Sequence, residues 1–261
     1  MDFSSQGIVI RETAVGESDK MLTILTPSGK VSAYAKGVKK ITNKNAPATQ
    51  LFVFSEYEFI KKFGRLTVKT AVSKELFYNM RSDMARYSLA CYFADILNHV
   101  TMENNDETET LRLFLNALYA LSNMQDIPLW LIKGAFEFKL MCICGFMPDF
   151  EECGVCACTV EPKKNNIFSF EQAAIICEDC IEKLKKATGN VPFSCNISDV
   201  CTKVMKHIAH TSQSKLLSFS VSDEIKGEFS FICENYLIHK TERSFETLKI
   251  YKSIISSLDI K

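Results

Sequence analysis

The sequence of 261 residues predicts an α+β protein with more than one domain. A small five-stranded barrel at the N-terminus is followed by an α-helical domain with an inserted cysteine-rich segment. Three observations predict this fold class. Before residue 74, polar and apolar residues alternate with the period of a half-buried strand. Beyond it the period is that of amphipathic helices, and a turn-rich segment with two CxxC pairs interrupts the helical pattern.

The N-terminal strands are separated by short turn signals. The sequences 27–30 and 61–65 contain the glycine and polar residues that are typical of turns. Apolar residues alternate most clearly at Val31, Ala33 and Ala35, and again at 66–72. Closing five strands into a barrel would leave no exposed sheet edge. The predicted strands lie at 7–11, 21–25, 31–36, 51–60 and 66–73.

Helical periodicity begins after the strands. Apolar residues recur every three to four positions at 89–100 and 111–118. We expect a third helix to start at Asp126 as its N-cap, with Pro128 in the first turn. Further helical patterns follow Cys177 and lie at 197–210, 223–241 and 247–258, with a break at 189–192.

The change of period sets the predicted domain organisation. Residues 1–76 would form the barrel domain, and residues 77–261 the helical domain. Residues 144–188, which lack periodicity over most of their length, would be inserted in the second domain.

Bulk composition points to the cytoplasm. No apolar run approaches the roughly 18 residues that a membrane span needs, and the first residues lack the basic and apolar regions of a signal peptide. The cysteine count is odd, at eleven. Reduced thiols and metal ligation are therefore expected rather than disulfides.

Two CxxC pairs carry the strongest chemical signal. Cys153 and Cys156 are followed, after twenty residues, by Cys177 and Cys180. Two residues between thiolates allow both sulfurs to bind one ion, and two such pairs complete a tetrahedral zinc site. Four thiolates leave no open position, so the predicted Zn²⁺ is structural. An iron–sulfur cluster needs the same ligands, and Cys158 is an alternative ligand.

Charge is distributed unevenly along the chain although the net charge is zero. Residues 1–70 contain eleven Lys and Arg against six Asp and Glu, and the remainder contains twenty against twenty-five. A local basic surface attracts phosphate whatever the total charge. Interleaved aromatic residues at 34, 52, 54, 57 and 63 would either stack on bases or fill the barrel core. The candidate DNA-binding residues are Arg11, Lys20, Lys36, Lys39, Lys40, Lys44, Lys61, Lys62, Arg65 and Lys69.

Several short motifs resemble the RecO family of recombination mediators. They are Gly7-Ile8-Val9-Ile10, Glu17-Ser18-Asp19-Lys20, Leu25-Thr26-Pro27-Ser28-Gly29 and Ala35-Lys36-Gly37-Val38-Lys39-Lys40, then Leu51-Phe52, Ser55-Glu56-Tyr57-Glu58 and the cysteine pairs with Phe168-Ser169. The resemblance spans most of the chain, although the last sixty or so residues match only in helical pattern. The loop after Lys40 differs from the family because it carries asparagine instead of additional arginine and serine.

This resemblance implies an OB-fold barrel, a helical domain carrying the zinc site, and binding to single- and double-stranded DNA. It also implies strand annealing, loading of RecA, and RecR and the C-terminal tail of the single-strand-binding protein as partners. A bacterial, cytoplasmic and nucleoid-associated protein is expected, with neither membrane contact nor a small-molecule substrate.

Other classes of function are weighed against this one. The sequence contains no phosphate-binding glycine loop, HExxH motif or nucleophile elbow, so we expect no enzyme. The main alternative is an RNA-binding or adaptor protein with a zinc ribbon and an OB-fold, because OB-folds bind RNA as well. A protein–protein scaffold is a third class, favoured by the apolar helix stripes and the acidic balance after residue 70.

Overall fold

The structure is a computed structural model that describes residues 2–62, 64–161, 165–188 and 193–258. The predicted helix break at 189–192 lies outside these residues. The chain divides into two compact units. The barrel unit comprises Met1–Gln125 and Phe245–Lys261, and the cysteine unit comprises Asp126–Ser244. The domain boundary proposed at residue 76, where the barrel ends, stays a prediction.

Five strands form a closed barrel in the order β1-β2-β3-β5-β4. All neighbouring pairs are antiparallel except β3 and β5, which are parallel. A five-stranded Greek-key barrel of this kind is an OB-fold, so the predicted fold is confirmed. The strands are β1 (Asp2–Val15), β2 (Asp19–Thr26), β3 (Gly29–Ala35), β4 (Phe54–Lys62) and β5 (Arg65–Glu75).

Strand β1 closes the barrel because it pairs with a strand on each side. Ile8 lies opposite both Leu25 of β2 and Phe54 of β4, and a register shift directly after Val9 bends the strand. At Gly7, an added Cβ would lie 2.8 Å from the Leu25 carbonyl oxygen. The close approach of the two strands therefore requires glycine at this position.

The barrel core follows the predicted alternation in β3 but not throughout β5. Ala33 and Ala35 are fully buried, as predicted, whereas Val72 is 55% exposed. A register shift between β4 and β5 changes the phase of β5, so that Val68 and Ala71 both point inward. Periodicity alone does not reveal a bulge of this kind.

Three α-helices complete the described part of the barrel unit. The loop that follows the helix Met84–Val100 contacts the β2–β3 turn through two backbone hydrogen bonds. The Lys30 N–H donates to the Met102 carbonyl at 2.8 Å, and the Glu107 N–H donates to the Pro27 carbonyl at 2.8 Å. Phe52, buried just before β4, packs edge-on against Phe114, with ring centroids 6.2 Å apart. The helices are α1 (Met84–Val100), α2 (Thr108–Asn123) and α7 (Glu246–Leu258).

The cysteine unit combines helices with a small sheet in the order β6-β8-β7-β9. Within the described ranges, no helix of either unit is both long enough and apolar enough to cross a membrane. The elements are α3 (Leu129–Ile143), β6 (Asp149–Cys153), β7 (Ile167–Ser169), β8 (Ala174–Ile176), α4 (Glu178–Thr188), β9 (Ser194–Asn196), α5 (Asp199–His210) and α6 (Lys226–Thr241).

Helix α3 begins later than the sequence predicts. Pro128 is its N-cap residue, with ψ of 138°, and Asp126 lies before the helix. The residue before a proline is disfavoured in the helical conformation. Ile127 therefore cannot be the first helical residue, and the helix starts after the proline.

Helices α3 and α6 pack closely around one glycine and one buried ion cluster. The Lys133 ammonium lies 2.8 Å from a Glu137 carboxylate oxygen and 2.9 Å from one of Glu234. Burial by itself would lower the pKa of Lys133, but the Glu137 and Glu234 carboxylates together raise it. Gly134 faces the Phe229 ring, and an added Cβ would lie 2.3 Å from a ring carbon.

We expect Gly134→Ala to destabilise the cysteine unit by about 1–3 kcal/mol, because the new methyl group forces a buried ring to move. Chemical denaturation followed by the fluorescence of Trp130, which packs edge-on against Phe229, measures the change. Gly227→Ala is the matched control, since its Cβ would meet no atom within 4 Å. Equal denaturation midpoints for Gly134→Ala and Gly227→Ala would contradict the close packing of Gly134 against Phe229.

Candidate metal centre and nucleic-acid interface

The four predicted metal ligands come together from strand β6, helix α4 and the connections next to them. Cys153 ends strand β6, and Cys156 lies in the turn that follows it. Cys177 lies between strand β8 and helix α4, and Cys180 occupies the first turn of α4. The β6–β8 pairing brings the two CxxC pairs side by side, with Cys153 opposite Ile175.

The sulfur positions fit a tetrahedral site. All four Sγ atoms lie within 4.8 Å of one another, and those of Cys156 and Cys177 are 3.8 Å apart. Tetrahedral zinc with Zn–S bonds of about 2.3 Å separates its sulfurs by about 3.8 Å. Cys156 is exposed, and the other three ligands are buried. The four cysteines can therefore hold a metal ion.

Backbone N–H groups surround the first of these thiols. Cys153 Sγ accepts hydrogen bonds from the backbone of Cys177, at 3.4 Å, and from those of Cys156 and Val155. Gly154 permits this turn, because an added Cβ would lie 2.9 Å from the Ala174 Cβ. Donors directed at a sulfur stabilise the thiolate, which is the form that binds metal.

The pKa shifts follow the directions of these hydrogen bonds. Burial opposes ionisation of Cys153, but the N–H donors outweigh it and lower its pKa. The N–H of Cys158 is the largest of several donors that lower the pKa of Cys156 to about 6. Burial and donation to neighbouring sulfurs raise the pKa of Cys180. Because thiolates bind metal, an ion bound at this centre would displace the remaining protons from the four thiols.

The remaining cysteines lie apart from this group, with the exception of Cys158. Burial raises the pKa of Cys91 and of Cys142 to about 11 and makes both thiols poor nucleophiles. Cys144 is exposed because α3 ends one residue before it.

The basic loop 36–46 connects β3 to a short 3₁₀ turn and is held at its base by Asp19. This carboxylate accepts the Tyr34 hydroxyl, the Gly37 N–H at 2.6 Å and the Ser18 hydroxyl at 2.9 Å. The Tyr34 hydroxyl contributes most to lowering the pKa of Asp19. The loop therefore leaves the barrel in a fixed direction although it is largely exposed.

The asparagines that distinguish this loop from the family pattern tether it to the barrel. Asn45 donates to the Lys69 carbonyl at 3.2 Å and accepts the Ala71 N–H at 3.1 Å. Asn43 donates to the Lys36 carbonyl at 3.0 Å. These hydrogen bonds order the loop, so that it loses less conformational entropy when it binds a partner.

One cleft of the barrel unit gathers part of the predicted set. Its volume is about 580 Å³, and its lining includes Lys20, Lys39 and Lys40. Glu12 also lines it and lies 2.8 Å from the Lys20 ammonium, so the charge of Lys20 is partly offset. Sequence reasoning missed a fourth cation, Arg81, which the 3₁₀ turn Tyr78–Ser82 places in this cleft. Arg81 donates one hydrogen bond to the Leu51 carbonyl at 2.6 Å, and its guanidinium has further donors.

A second concave region lies near the β4–β5 hairpin. Lys61 lines it together with Lys30, which sequence reasoning also missed. Lys30 donates to the Asn98 carbonyl at 2.6 Å. At the same hairpin, the Arg65 guanidinium lies 5.5 Å from the Tyr34 ring centre. The backbone of Lys62 ends strand β4.

Other predicted residues are not assembled in either region. Lys69 lies 3.5 Å from Asp2 and 3.6 Å from Glu58, which offset its charge. Arg11 is exposed on β1, and Lys36 and Lys44 are exposed on the basic loop outside the lining of the cleft.

The predicted aromatic platforms are mostly part of the core. Phe52 and Tyr57 are fully buried, and Tyr34 is engaged with Asp19. Phe54 is half-buried, and residue 63 lies outside the described residues. The candidate interface is therefore built from cations, which suit phosphate contact better than base stacking.

The fold and the sites define an OB-fold protein with a second unit that carries a four-cysteine centre. Comparison with known proteins identifies the family. The family description Recombination protein O N terminal matches residues 1–76, and Recombination protein O C terminal matches residues 81–249. The chain belongs to the RecO family.

Individual relatives agree along nearly the whole chain. DNA repair protein RecO of Acetivibrio thermocellus is 33% identical over 251 residues, which cover 96% of each chain. DNA repair protein RecO of Alkaliphilus metalliredigens is 28% identical and covers 97% of this chain and 100% of its own. That of a Thermoanaerobacter species is 29% identical, with 93% and 94% covered.

Proposed function

We propose that this protein is a non-enzymatic recombination mediator that binds single- and double-stranded DNA and anneals complementary strands in DNA repair. Together with RecR, it would help to load RecA on DNA coated with the single-strand-binding protein, whose C-terminal tail would be a further partner. Membership of the RecO family and the cationic cleft of the barrel unit support this proposal. A cytoplasmic, nucleoid-associated location is part of it.

The proposed mechanism of annealing is charge neutralisation. Two DNA strands repel each other through their phosphates, and cations that contact both backbones reduce this repulsion and release counterions. Lysine is a compact cation without the planar fork of arginine, so it holds phosphate without fixing an orientation. The bases then remain exposed and can pair.

We propose that the metal is Zn²⁺ and that its role is structural. Four thiolates from Cys153, Cys156, Cys177 and Cys180 are the donor set that tetrahedral zinc prefers. The 3.8 Å separation of two of the sulfurs supports this assignment. A closed set of four ligands leaves no position for a substrate, so the ion would hold the β6–β9 segment in place.

Arg81→Gln is expected to weaken binding to single-stranded DNA about three- to tenfold and to reduce the slope of log K against log salt by about 1, since one phosphate contact is lost. Fluorescence anisotropy with a labelled oligonucleotide at several salt concentrations measures both quantities. Lys215→Gln, an exposed change in the cysteine unit, is the matched control. An unchanged slope for Arg81→Gln would exclude this residue from the DNA path.

Competition between DNA and RNA separates the proposal from its main alternative. The lysine-rich cleft contacts phosphate and therefore does not itself favour deoxyribose, so RNA binding has to be tested. A labelled single-stranded DNA is displaced by unlabelled DNA or RNA of equal length and sequence. Preference for DNA supports the mediator; preference for RNA would favour the RNA-binding class, and no salt-dependent binding to either would favour a scaffold.

A further inference from the structure

The cationic cleft of the barrel unit is lined by apolar side chains as well as by cations. The apolar residues come from the basic loop 36–46, from the 3₁₀ turn and chain that follow it, and from helix α1. They are Val38, Ile41, Ala46, Pro47, Leu51 and Tyr87. The volume of about 580 Å³ lies within the range of about 300–1,000 Å³ that is typical of small-ligand sites. The cleft therefore offers an apolar surface in addition to groups that bind phosphate.

Tyr87 gives this lining an aromatic ring. The residue lies on α1, outside the barrel strands, and its ring packs T-shaped against Phe52, with centroids 5.6 Å apart and an interplanar angle of 74°. Phe52 is fully buried, so this contact holds the Tyr87 ring in place. Tyr87 is nevertheless only partly buried, and it lines the cleft. A ring that is fixed on one side and open on the other is a platform on which a nucleobase can stack.

The exposure of Ile41 indicates the chemistry of the missing partner. Ile41 lines the cleft and is fully exposed, although its neighbours on the loop are lysines. Covering a large aliphatic side chain is favourable only when the partner presents an apolar surface. A phosphate does not present one, whereas the face of a nucleobase does. Cations beside Tyr87 and Ile41 therefore match a nucleotide unit with both its parts, the phosphate and the base.

We propose that the cationic cleft holds one unpaired base of single-stranded DNA against the Tyr87 ring, while Lys39, Lys40 and Arg81 contact the adjoining phosphates. This inference deepens the proposed function and rests on the proposed DNA binding. A base within a duplex is paired and stacked and cannot reach the ring, so duplex DNA would bind through the cations alone. The cleft thereby favours single strands, and the other bases of a bound strand remain exposed for pairing.

An oligonucleotide with abasic residues separates base stacking from phosphate contact. The full chain is titrated with a labelled oligothymidylate, with a strand of equal length whose central residues are abasic, and with a duplex. The two single strands carry the same number of phosphates. The protein is used as wild type, Tyr87→Leu and Tyr87→Phe, and circular dichroism checks that each variant folds. Tyr119→Leu is the matched control, because Tyr119 is exposed on α2 of the same unit and lies outside the lining of the cleft.

We expect the wild type to bind the strand with bases about 5- to 100-fold more tightly than the abasic strand. Tyr87→Leu should lose most of this preference and keep its affinity for duplex DNA, whereas Tyr87→Phe and Tyr119→Leu should keep the preference. Equal affinity of the wild type for both single strands, or an undiminished preference in folded Tyr87→Leu, would overturn this inference and leave the proposed function standing. Absence of wild-type binding to all three ligands would overturn the proposed function and this inference with it.

Discussion

Changing Lys39, Lys40 and Lys44 together to Glu is expected to abolish most strand annealing and to lower the affinity for single-stranded DNA by about two orders of magnitude or more. All three residues are exposed on the basic loop. Lys39 and Lys40 line the cationic cleft and Lys44 lies on the same loop, so that three anions in their place turn phosphate attraction into repulsion. Annealing of fluorescent complementary oligonucleotides measures the effect.

The fold should survive this change. Exposed substitutions away from special features alter stability by about 0.5 kcal/mol or less. The loop is tethered chiefly by Asn43, Asn45 and Asp19, and Lys39 adds an exposed hydrogen bond from its ammonium to the Gly16 carbonyl at 3.0 Å. The matched control is Lys185→Glu, Lys215→Glu and Lys226→Glu, with the same change of net charge on exposed sites of the cysteine unit. Equal loss of annealing in both triple variants would assign the effect to net charge and not to the loop.

Removal of the metal is expected to unfold the segment from β6 to α4 locally. Among the described residues, the small core around the ligands contains three buried aliphatic residues, Ile167, Ile176 and Ile181, with Val160 and Leu184 partly buried against them. Burial of each stabilises by about 1.5–3 kcal/mol, against a backbone entropy cost of about 1–2 kcal/mol for each ordered residue. Structural zinc contributes about 10 kcal/mol or more in small zinc domains, so the segment depends on the ion.

Hydrogen exchange before and after treatment with a strong chelator tests this expectation, and Cys177→Ser should reproduce the chelated state. We expect protection to be lost at residues 149–188 and to remain in strands β1–β5. Loss should occur more readily as the pH falls, because metal competes with protons for the thiolates. Cys144→Ser should exchange like the wild type. Unchanged protection of 149–188 after complete removal of the metal would contradict a structural role.

The sequence predicts those features that depend on local pattern or on spacing. A few neighbouring residues are enough to recognise each of these patterns. They are the alternation at Ala33 and Ala35, the helical periods after residue 84, and the two CxxC pairs. The strands β6–β9 were not predicted, because strands of three to five residues are too short to display a period. The inward position of Ala71 depends on a register shift that arises only when β4 and β5 pair.

The candidate nucleic-acid interface could likewise be predicted only where its residues are close together in sequence. The cations of the basic loop stand out because they are close together in sequence, whereas Arg81 and Lys30 are isolated and join the clefts through tertiary structure. For the aromatic residues, the sequence suggested too many interface positions instead of too few. Their spacing suits base stacking, but burial of Phe52 and Tyr57 assigns them to the core. Composition cannot distinguish these environments, since both favour aromatic side chains.

The rate of annealing at two salt concentrations, about 50 and 200 mM, tests the central claim most directly. Metal content is measured on the same preparation of the full chain, with complementary oligonucleotides and no partner protein. We predict acceleration over the spontaneous rate at low salt, a steep decrease at high salt, and about one zinc ion per chain. A zinc-containing preparation that neither binds DNA nor accelerates annealing at either salt concentration would contradict the proposed function.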